Sequence, residues 1–290
     1  MAITAADVKK LREISGAGMM DCKKALGETD GDINAAVDFL RKKGLSAASK
    51  KAGRVAAEGV VVAVSEGNVG VVLEVNAETD FVSKNDQFVG FVNALAALII
   101  KENPADLDAL KALPFDAELN VEQALSQLIA TIGENMSIRR FVRTEVNGTA
   151  ASYVHGGGKI GVLVGIEGDV DAALARGVAM HVAAANPLNI GREDVAADAV
   201  ERERAVLSER AIASGKPAAI VDKIVTGQLN KFYSEVCLLE QDFVMDTDKK
   251  VGKALGAAKV VSMARFHLGE GIEKKEEDFA AEVAAQIQGS

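Results

Sequence analysis

The sequence Gly67-Asn68-Val69-Gly70-Val71-Val72-Leu73 has a counterpart at Gly158-Lys159-Ile160-Gly161-Val162-Leu163-Val164. The two stretches share their apolar pattern and the position of a glycine, and an alanine-rich helical pattern follows each of them. Self-similarity of this kind within one chain indicates a repeated structural unit. We therefore expect an α+β protein with two related core subdomains.

The first copy carries clear local signals. Two apolar runs, Gly59–Glu66 and Val69–Val75, flank Gly67-Asn68, a pair that is typical of a two-residue hairpin turn. Apolar residues at helical spacing then predict a helix over Asp86–Lys101 that packs on this hairpin. We expect this core subdomain N to span 55–147, and its remaining predicted elements are the helices Leu107–Leu113 and Val121–Ile132 and the strand Ile138–Val146.

The second copy is interrupted by an insertion. We expect core subdomain C to comprise 148–191 and 233–266, with a helix over Ala172–Ala185 and strands at Ile160–Ile166, Val236–Leu239 and Val260–Phe266. The segment 192–232 is charged and helical and is broken only at Ser214-Gly215-Lys216-Pro217, which predicts an inserted antiparallel coiled-coil hairpin. Its apolar positions must pack on its own second helix or on another copy of the chain; they are Val200, Leu207, Ile220, Ile224 and Val225.

Helical patterns occupy both ends of the chain. In 1–54 Thr4 and Asp7 suggest a capping box, Gly16-Ala17-Gly18 separates the first two helices, and Gly44 is expected to end the third. These helices predict a small three-helix bundle, after which Leu45–Arg54 is either an exposed linker or a weakly held helix. A C-terminal module over 267–290 contains a further predicted helix, Asp278–Ile287.

Composition restricts the class of protein. The chain of 290 residues has too few cysteines for a disulfide framework, and no apolar stretch approaches the roughly 18 residues that a membrane helix needs. Lys and Arg number 33 against 42 Asp and Glu, so the net charge of −9 repels phosphate backbones. We therefore expect a soluble cytoplasmic protein that binds neither membrane nor nucleic acid directly.

The sequence contains one formal match to an enzyme motif, and its context differs from that of the motif. Gly156-Gly157-Gly158-Lys159-Ile160-Gly161 fits G-x-G-x-x-G, but a dinucleotide fingerprint opens a helix, whereas this stretch precedes a strand and is predicted to be a hairpin turn. His155 beside it is an exposed candidate contact residue, and His181 in an apolar helix is a candidate interior residue. Neither metal nor cofactor is expected, although a site assembled from distant residues would leave no local motif.

A single aromatic residue stands out in Asn76-Ala77-Glu78-Thr79-Asp80-Phe81-Val82-Ser83-Lys84-Asn85. The stretch lies between a predicted strand and a predicted helix, so Phe81 is expected on a turn. An exposed ring there can insert into a partner's cleft, because it brings a large apolar area at a small cost in side-chain entropy. The alternative is that Phe81 caps the core of its own subdomain.

Five stretches, in order along the whole chain, resemble the bacterial elongation factor Ts family, whose members are guanine-nucleotide exchange factors of elongation factor Tu. They are Gly16-Ala17-Gly18-Met19-Met20-Asp21-Cys22-Lys23-Lys24-Ala25-Leu26, Thr79-Asp80-Phe81-Val82, Ile132-Gly133-Glu134-Asn135 with Ile138-Arg139-Arg140, Met180-His181-Val182-Ala183-Ala184, and Gly269-Glu270-Gly271-Ile272-Glu273-Lys274. The resemblance implies an N-terminal module similar to ubiquitin-associated domains, besides the units predicted above. One departure is the glycine turn before Lys159, which is a residue longer than the family's turn.

The resemblance also implies a binding surface for elongation factor Tu. Arg12, Met19 and Met20 would contact the partner's nucleotide-binding domain, although the methionines have an alternative place inside their own bundle. Phe81 would insert beside the partner's magnesium site, and His155 with its glycine turn would contact the distal barrel domain. The complete implied set is Arg12, Met19, Met20, Thr79, Asp80, Phe81, Val82, Ile132, His155 and Gly156.

The mechanism that the resemblance implies involves no bond change in this chain. Insertion of Phe81 would disturb the phosphate loop and the magnesium ion that hold GDP on the partner. GDP-bound and nucleotide-free elongation factor Tu are both expected partners, while the chain itself needs no cofactor. Two rival hypotheses are a ubiquitin-like adaptor or holdase, and an enzyme with a site between the subdomains.

Overall fold

The computed structural model describes residues 3–215 and 217–273, and the predicted helix Asp278–Ile287 lies outside them. Helices and antiparallel strands are mixed along the chain, as expected of an α+β protein. The helices are α1 (Ala5–Ser15), α2 (Met19–Glu28), α3 (Ile33–Lys51), α4 (Asp86–Glu102), α5 (Leu107–Ala112), α6 (Val121–Ile132), α7 (Ala172–Ala185), α8 (Ala197–Ala213), α9 (Ala218–Val236) and α10 (Val251–Leu255). The strands are β1 (Glu58–Glu66), β2 (Val69–Ala77), β3 (Met136–Glu145), β4 (Gly148–His155), β5 (Ile160–Glu167), β6 (Asp242–Phe243), β7 (Asp246–Lys250) and β8 (Lys259–His267).

The first three helices form the expected bundle around a small apolar core. The predicted capping box at Thr4 is present, because the Thr4 hydroxyl accepts from the Asp7 backbone N–H while the Asp7 carboxylate accepts from that of Thr4. The inner faces of the helices supply the core, which includes Val8, Leu11, Cys22, Ala25, Leu26 and Ala36.

Gly44 does not end α3, and this prediction was wrong. The helix continues to Lys51, so most of the expected linker is helical. A Cβ atom at Gly44 would lie 3.7 Å from the Ser126 carbonyl oxygen and 3.8 Å from the Ala130 Cβ atom of α6. The glycine therefore serves close helix packing rather than helix termination, and tertiary contact outweighs its low helix propensity.

The two related units form two three-stranded antiparallel sheets, with the strand orders β1-β2-β3 and β4-β5-β8. Residues of α4, α5 and α6 cover one face of the first sheet, and residues of α7 and α10 cover one face of the second. The predicted strand Val236–Leu239 was wrong, since Val236 ends α9 and the third strand of the second sheet is β8. The backbone N–H groups of Leu238 and Leu239 donate instead to the carbonyls of Asn189 and Ile190.

The uncovered faces of the two sheets pack against each other at the equivalent glycines of the repeat. A Cβ atom at Gly70 would lie 2.4 Å from Leu163 Cδ1, and one at Gly161 would lie 2.4 Å from Val61 Cγ1. Each glycine therefore makes room for a side chain of the opposite subdomain. The buried interface consists of Val61, Ala63, Val72, Ala150, Leu163 and Phe266.

Each hairpin turn also bonds to a strand of the other subdomain. The Gly67 carbonyl accepts from the backbone N–H of Ala150 (2.9 Å), and the Gly158 carbonyl accepts from that of Val61 (2.8 Å). These reciprocal bonds connect β1 directly to the glycine turn after His155.

The inserted segment forms an antiparallel helical hairpin of α8 and α9, as expected. Four of the five predicted apolar positions pack inside the hairpin, whereas Ile220 is exposed, so its assignment to the stripe was wrong. The buried cluster consists of Leu207, Ala211, Val221, Val225 and Leu229, with Val200 and Ile224 packed against it. The sequence allowed these residues to pack either on the second helix of the hairpin or on another copy of the chain. In the structure they pack on the second helix.

Candidate functional site

Phe81 points outward from the turn between β2 and α4. Its side chain is 80% exposed, so it does not cap the core of its own subdomain. Its backbone is helical (φ −63°, ψ −38°) and leads into a short 3₁₀ turn, Val82–Lys84. Val82 is buried in the core beneath the turn, so its side chain does not belong to the exposed surface on which the resemblance placed it, whereas its neighbour Phe81 projects into solvent. The buried valine thus anchors the turn that presents the ring.

Two carboxylates hold the residues before Phe81 in place. The backbone N–H and the hydroxyl group of Thr79 donate to the two carboxylate oxygens of Glu134, at 2.9 and 2.7 Å. In return, the backbone N–H of Asn135 donates to Glu78, whose carboxylate also contacts Arg54 at 3.4 Å. We call Glu78, Thr79, Glu134 and Asn135 the carboxylate clamp. It joins the turn to the segment between α6 and β3.

The remaining predicted residues near this turn occupy different environments. Asp80 is exposed, and its carbonyl oxygen accepts from the Ser83 hydroxyl at 2.6 Å. Ile132 is partly buried at the end of α6 and packs on the core of subdomain N. Its side chain therefore packs inward rather than forming part of an exposed contact surface.

The bundle presents a second apolar surface. Met19 and Met20 are 61% and 73% exposed at the start of α2, so neither packs inside the bundle. Arg12 on α1 is exposed as well. A cavity of about 750 Å³ lies beside the contact between the bundle and subdomain N, and its walls include Gly16, Gly18, Gln87, Gly90 and Phe91.

The glycine stretch forms the predicted hairpin turn between β4 and β5. Gly156, Gly157 and Gly158 all have positive φ, a conformation that glycine adopts readily. His155 is exposed before the turn, and its Nδ1 lies 3.2 Å from the hydroxyl oxygen of Tyr153. A strand follows the turn, so the arrangement differs from a dinucleotide fingerprint.

His181 is an interior residue, as predicted, with both ring nitrogens satisfied. Its Nδ1 accepts from the backbone N–H of Val244 (3.1 Å), so Nε2 carries the proton and donates to the Gln241 side-chain oxygen (2.9 Å). Burial lowers the pKa of His181, and the hydrogen bond to Gln241 opposes this only in part. The neutral imidazole is therefore a structural link between α7 and the turn that joins β6 to β7.

Within residues 3–215 and 217–273, no group of three or more His, Cys, Asp or Glu side chains is placed to hold a metal ion. In the same part of the chain, every helix is too short or too polar to cross a membrane.

Sequence reasoning missed the residues that hold the site together. Glu134 and Asn135 belong to a quoted motif, but their hydrogen bonds to Thr79 and Glu78 bridge more than fifty residues and leave no local pattern. Glu74 did carry a signal, because it is a charged residue inside the apolar run Val69–Val75. Such a carboxylate, if buried, requires partners.

Comparison with known proteins gives a consistent result. A family model described as "Elongation factor TS" matches residues 78–270. Proteins named "Elongation factor Ts" from Syntrophotalea carbinolica and Magnetococcus marinus are each 54% identical over 303 residues, covering 99% and 100% of this chain and 100% of each relative. A third, from Paramagnetospirillum magneticum, is 57% identical and covers 98% of this chain and 97% of the relative. Because family model and full-length relatives agree, the chain belongs to the elongation factor Ts family of translation elongation factors.

Proposed function

We propose that this chain is the guanine-nucleotide exchange factor of elongation factor Tu and acts in the cytoplasm. It binds the GDP-bound partner, promotes release of GDP, and stabilises the nucleotide-free form until GTP binds. The chain catalyses no bond change in this scheme and needs no cofactor. Membership of the elongation factor Ts family supports the choice of partner.

The observation that carries the proposal is the exposure of Phe81. A large apolar side chain held 80% in solvent on a tethered turn loses contact with water only when a partner covers it. In the proposed complex the ring inserts beside the partner's magnesium site and disturbs its phosphate-binding loop. Loss of that ion or loop contact removes much of the electrostatic attraction that retains GDP.

The carboxylate clamp supports this role because it fixes the turn that carries the ring before the partner arrives. Thr79 and Glu78 are both hydrogen-bonded to the segment that follows α6, and Val82 is buried on the other side of Phe81. A preorganised anchor avoids the entropy cost of ordering a flexible loop on binding.

Further contacts distribute the binding energy. Met19, Met20 and Arg12 supply an exposed apolar and basic surface for the nucleotide-binding domain, and methionine suits such a surface because it adapts its shape. His155 and Gly156 supply an exposed turn for the distal domain. These surfaces lie on different units of the chain, so the partner is held at several points.

The energies required are moderate. Exchange by linkage means that the factor weakens GDP binding by the same ratio by which GDP weakens binding of the factor. Each tenfold weakening needs about 1.4 kcal/mol of differential contact energy, and a buried aromatic anchor contributes about 2 kcal/mol or more.

The helical hairpin also supports a proposal of self-association. Most of its stripe packs internally, but Ile212 and Ile220 remain exposed on either side of its turn, and Val206 is exposed in the middle of α8. Apolar side chains in that position favour contact with a second copy. Sedimentation of the chain and of a Val206→Ser, Ile212→Ser variant tests this. If the native chain sediments as a dimer and the variant with the mass of a monomer, the contact between copies is supported. Equal masses for the two proteins contradict it.

Stopped-flow release of a fluorescent GDP analogue from elongation factor Tu tests the main proposal. We expect this chain to accelerate release by about 100-fold, which requires the barrier to release to fall by about 2.7 kcal/mol. An unchanged release rate together with stable complex formation would instead favour an adaptor or holdase. Chemical conversion of the released nucleotide would favour the enzyme hypothesis.

A further inference from the structure

The Glu74 carboxylate lies in the middle of β2 and is completely buried. Its Oε1 accepts from Arg139 Nη1 (2.9 Å), the backbone N–H of Gly269 (2.8 Å) and Asn76 Nδ2 (3.2 Å), while Oε2 accepts from Arg140 Nε (2.6 Å). Burial by itself raises the pKa of Glu74, but the hydrogen bonds from Gly269, Arg140 and Arg139 outweigh it, so the pKa lies below its ordinary value. The Glu74 carboxylate is therefore a buried charge held by several hydrogen bonds. We call the carboxylate together with these hydrogen-bond donors the Glu74 hub.

A β-bulge brings both arginines to this carboxylate. In the pairing of β2 with β3, Glu74 lies opposite Arg140 and Val75 lies opposite Ile138, so Arg139 is the extra residue. A bulge changes the direction of side chains along the strand. Here it allows two consecutive residues to reach one buried group.

The second copy of the repeat makes the same bulge without a carboxylate. The alignment that matches Gly70 with Gly161 places Gly165 at the position of Glu74. In the pairing of β5 with β8, Gly165 lies opposite Ser262 and Ile166 opposite Val260, which is the same shift of register. The architecture of the repeated unit therefore does not itself require a buried carboxylate at this position.

Glu74 is connected to both proposed contact regions, the turn that carries Phe81 and the glycine turn that follows His155. Along β2, its partner Asn76 precedes the clamp and Phe81 by a few residues. Across the sheet, Glu74 lies opposite Val61, whose backbone N–H donates to the Gly158 carbonyl in the turn that follows His155.

The hub also fixes the end of β8. Glu74 accepts from the backbone N–H of Gly269, and Arg140 Nη2 contacts the Glu270 carboxylate at 3.2 Å. Arg140 further donates to the His267 carbonyl and lies over the Phe266 ring, 4.2 Å from its centroid. The last strand of subdomain C is therefore tied to β2 and β3 of subdomain N.

We propose that Glu74 is a positioning residue for nucleotide exchange, which holds the strand that leads to the Phe81 turn at a fixed distance and direction from the glycine turn that follows His155. The inference rests on the proposed function, in which both regions contact one partner. A fixed spacing favours simultaneous engagement of two sites, because less conformational freedom is lost on binding.

The test is a double-mutant cycle on catalysed GDP release from elongation factor Tu. Glu74→Gln keeps the shape of the side chain and removes its charge. We expect it to lower kcat/KM by about tenfold, since small misplacements of an acting group have large kinetic effects. In a Phe81→Ala background the same substitution lowers kcat/KM by less than about twofold, because residues that act through one another are not additive.

Two further variants complete the design, and urea unfolding of each variant confirms that folded molecules are compared. Glu240→Gln is the matched control, since it removes the arginine–carboxylate pair with Arg192 at the base of the hairpin, and we expect it to leave exchange unchanged. If Glu74→Gln does not fold, Arg139→Gln replaces it, because this variant leaves the carboxylate bonded to Arg140 and Gly269. It is expected to show the same dependence on Phe81 with a smaller amplitude.

The outcomes separate the two proposals. If the native chain accelerates release and Phe81→Ala reduces it, a normal kcat/KM in Glu74→Gln overturns the positioning role alone. An equal fall in both backgrounds also overturns it, since that is the result of a purely structural role. A native chain that does not accelerate release contradicts the proposed function and the positioning role together.

Discussion

The Glu134 carboxylate holds Thr79 by two hydrogen bonds, one from the backbone N–H at 2.9 Å and one from the hydroxyl group at 2.7 Å. The two residues are 55 positions apart in sequence, and Thr79 precedes the exposed Phe81 by two. The segment between α6 and β3 thereby sets the position of the turn on which the proposed function depends.

Replacement of Glu134 by glutamine should weaken both exchange and stability. The neutral amide has a single acceptor oxygen, so one of the two bonds from Thr79 is lost. We expect the free energy of unfolding to fall by about 1.5–3 kcal/mol, as for other hydrogen bonds to charged groups, and GDP release to slow severalfold. Urea unfolding and stopped-flow release measure the two effects.

Two companion variants sharpen this prediction. Thr79→Val removes only the hydroxyl bond and should have the smaller effect. Glu122→Gln makes the same chemical change at an exposed position of α6 and should leave the release rate unaltered. If Glu134→Gln and Glu122→Gln behave alike, the clamp does not position the turn.

Substitution of glycine by alanine should have opposite effects on stability at the interface of the two sheets and at an exposed position of a helix. In Gly161→Ala the new methyl group would lie 2.4 Å from Val61 Cγ1 and 3.1 Å from Val72 Cγ2, both buried. We expect a loss of about 1–3 kcal/mol in the free energy of unfolding, because the packed sheets must move apart. Gly90→Ala in α4 meets no atom within 4 Å, and should stabilise by about 0.5–1 kcal/mol through helix propensity. Equal values from urea unfolding would contradict this description of the interface.

His181 predicts a loss of stability at mildly acidic pH. Its folded pKa lies below the ordinary value of 6.5 because burial disfavours the imidazolium. As the pH falls below that value, the unfolded chain binds the proton first, so the free energy of unfolding decreases until the lowered folded pKa is reached. Protonation of Nδ1 also removes the acceptor for the Val244 backbone N–H.

A His181→Gln variant isolates this contribution from that of other titrating groups. The variant should be less stable at neutral pH, where it loses part of the network with Gln241 and Val244. Its free energy of unfolding should also change less than that of the native chain between neutral and mildly acidic pH. Parallel pH profiles for the two proteins would show that His181 does not titrate with unfolding.

Local signals were sufficient for most of the secondary structure. The helices over Val121–Ile132 and Ala172–Ala185 have the bounds predicted from their helical patterns, and Gly67-Asn68 forms the predicted hairpin turn. Side-chain periodicity and turn residues act over a few positions, so one sequence reveals them.

The failures have a tertiary cause. Gly44 has the residue type of a helix end, yet close packing on α6 retains it within α3. Val236–Leu239 has the composition of a strand, yet Val236 ends a helix and the N–H groups of Leu238 and Leu239 donate to the backbone carbonyls of residues 189–190. Both α6 and residues 189–190 are distant in sequence from the segments that they contact. A local sequence pattern therefore could not predict these contacts.

The candidate site also has one part that local sequence signals could predict and another that depends on tertiary contacts. Phe81 could be placed on a turn from its neighbours, and its exposure excludes the alternative of a core position. The clamp and the Glu74 hub could not be derived, because Glu134, Arg140 and Gly269 reach them across the fold.

The most direct measurement is the rate of GDP release from elongation factor Tu with saturating Phe81→Ala, compared with the native chain. Leu188→Ala is the control, since Leu188 is 70% exposed and lies outside the proposed binding surface. We predict that Phe81→Ala still forms the complex but loses most of the acceleration, by about tenfold or more for a buried aromatic anchor, while Leu188→Ala retains it. Full acceleration by Phe81→Ala would contradict the insertion of this ring as the cause of exchange.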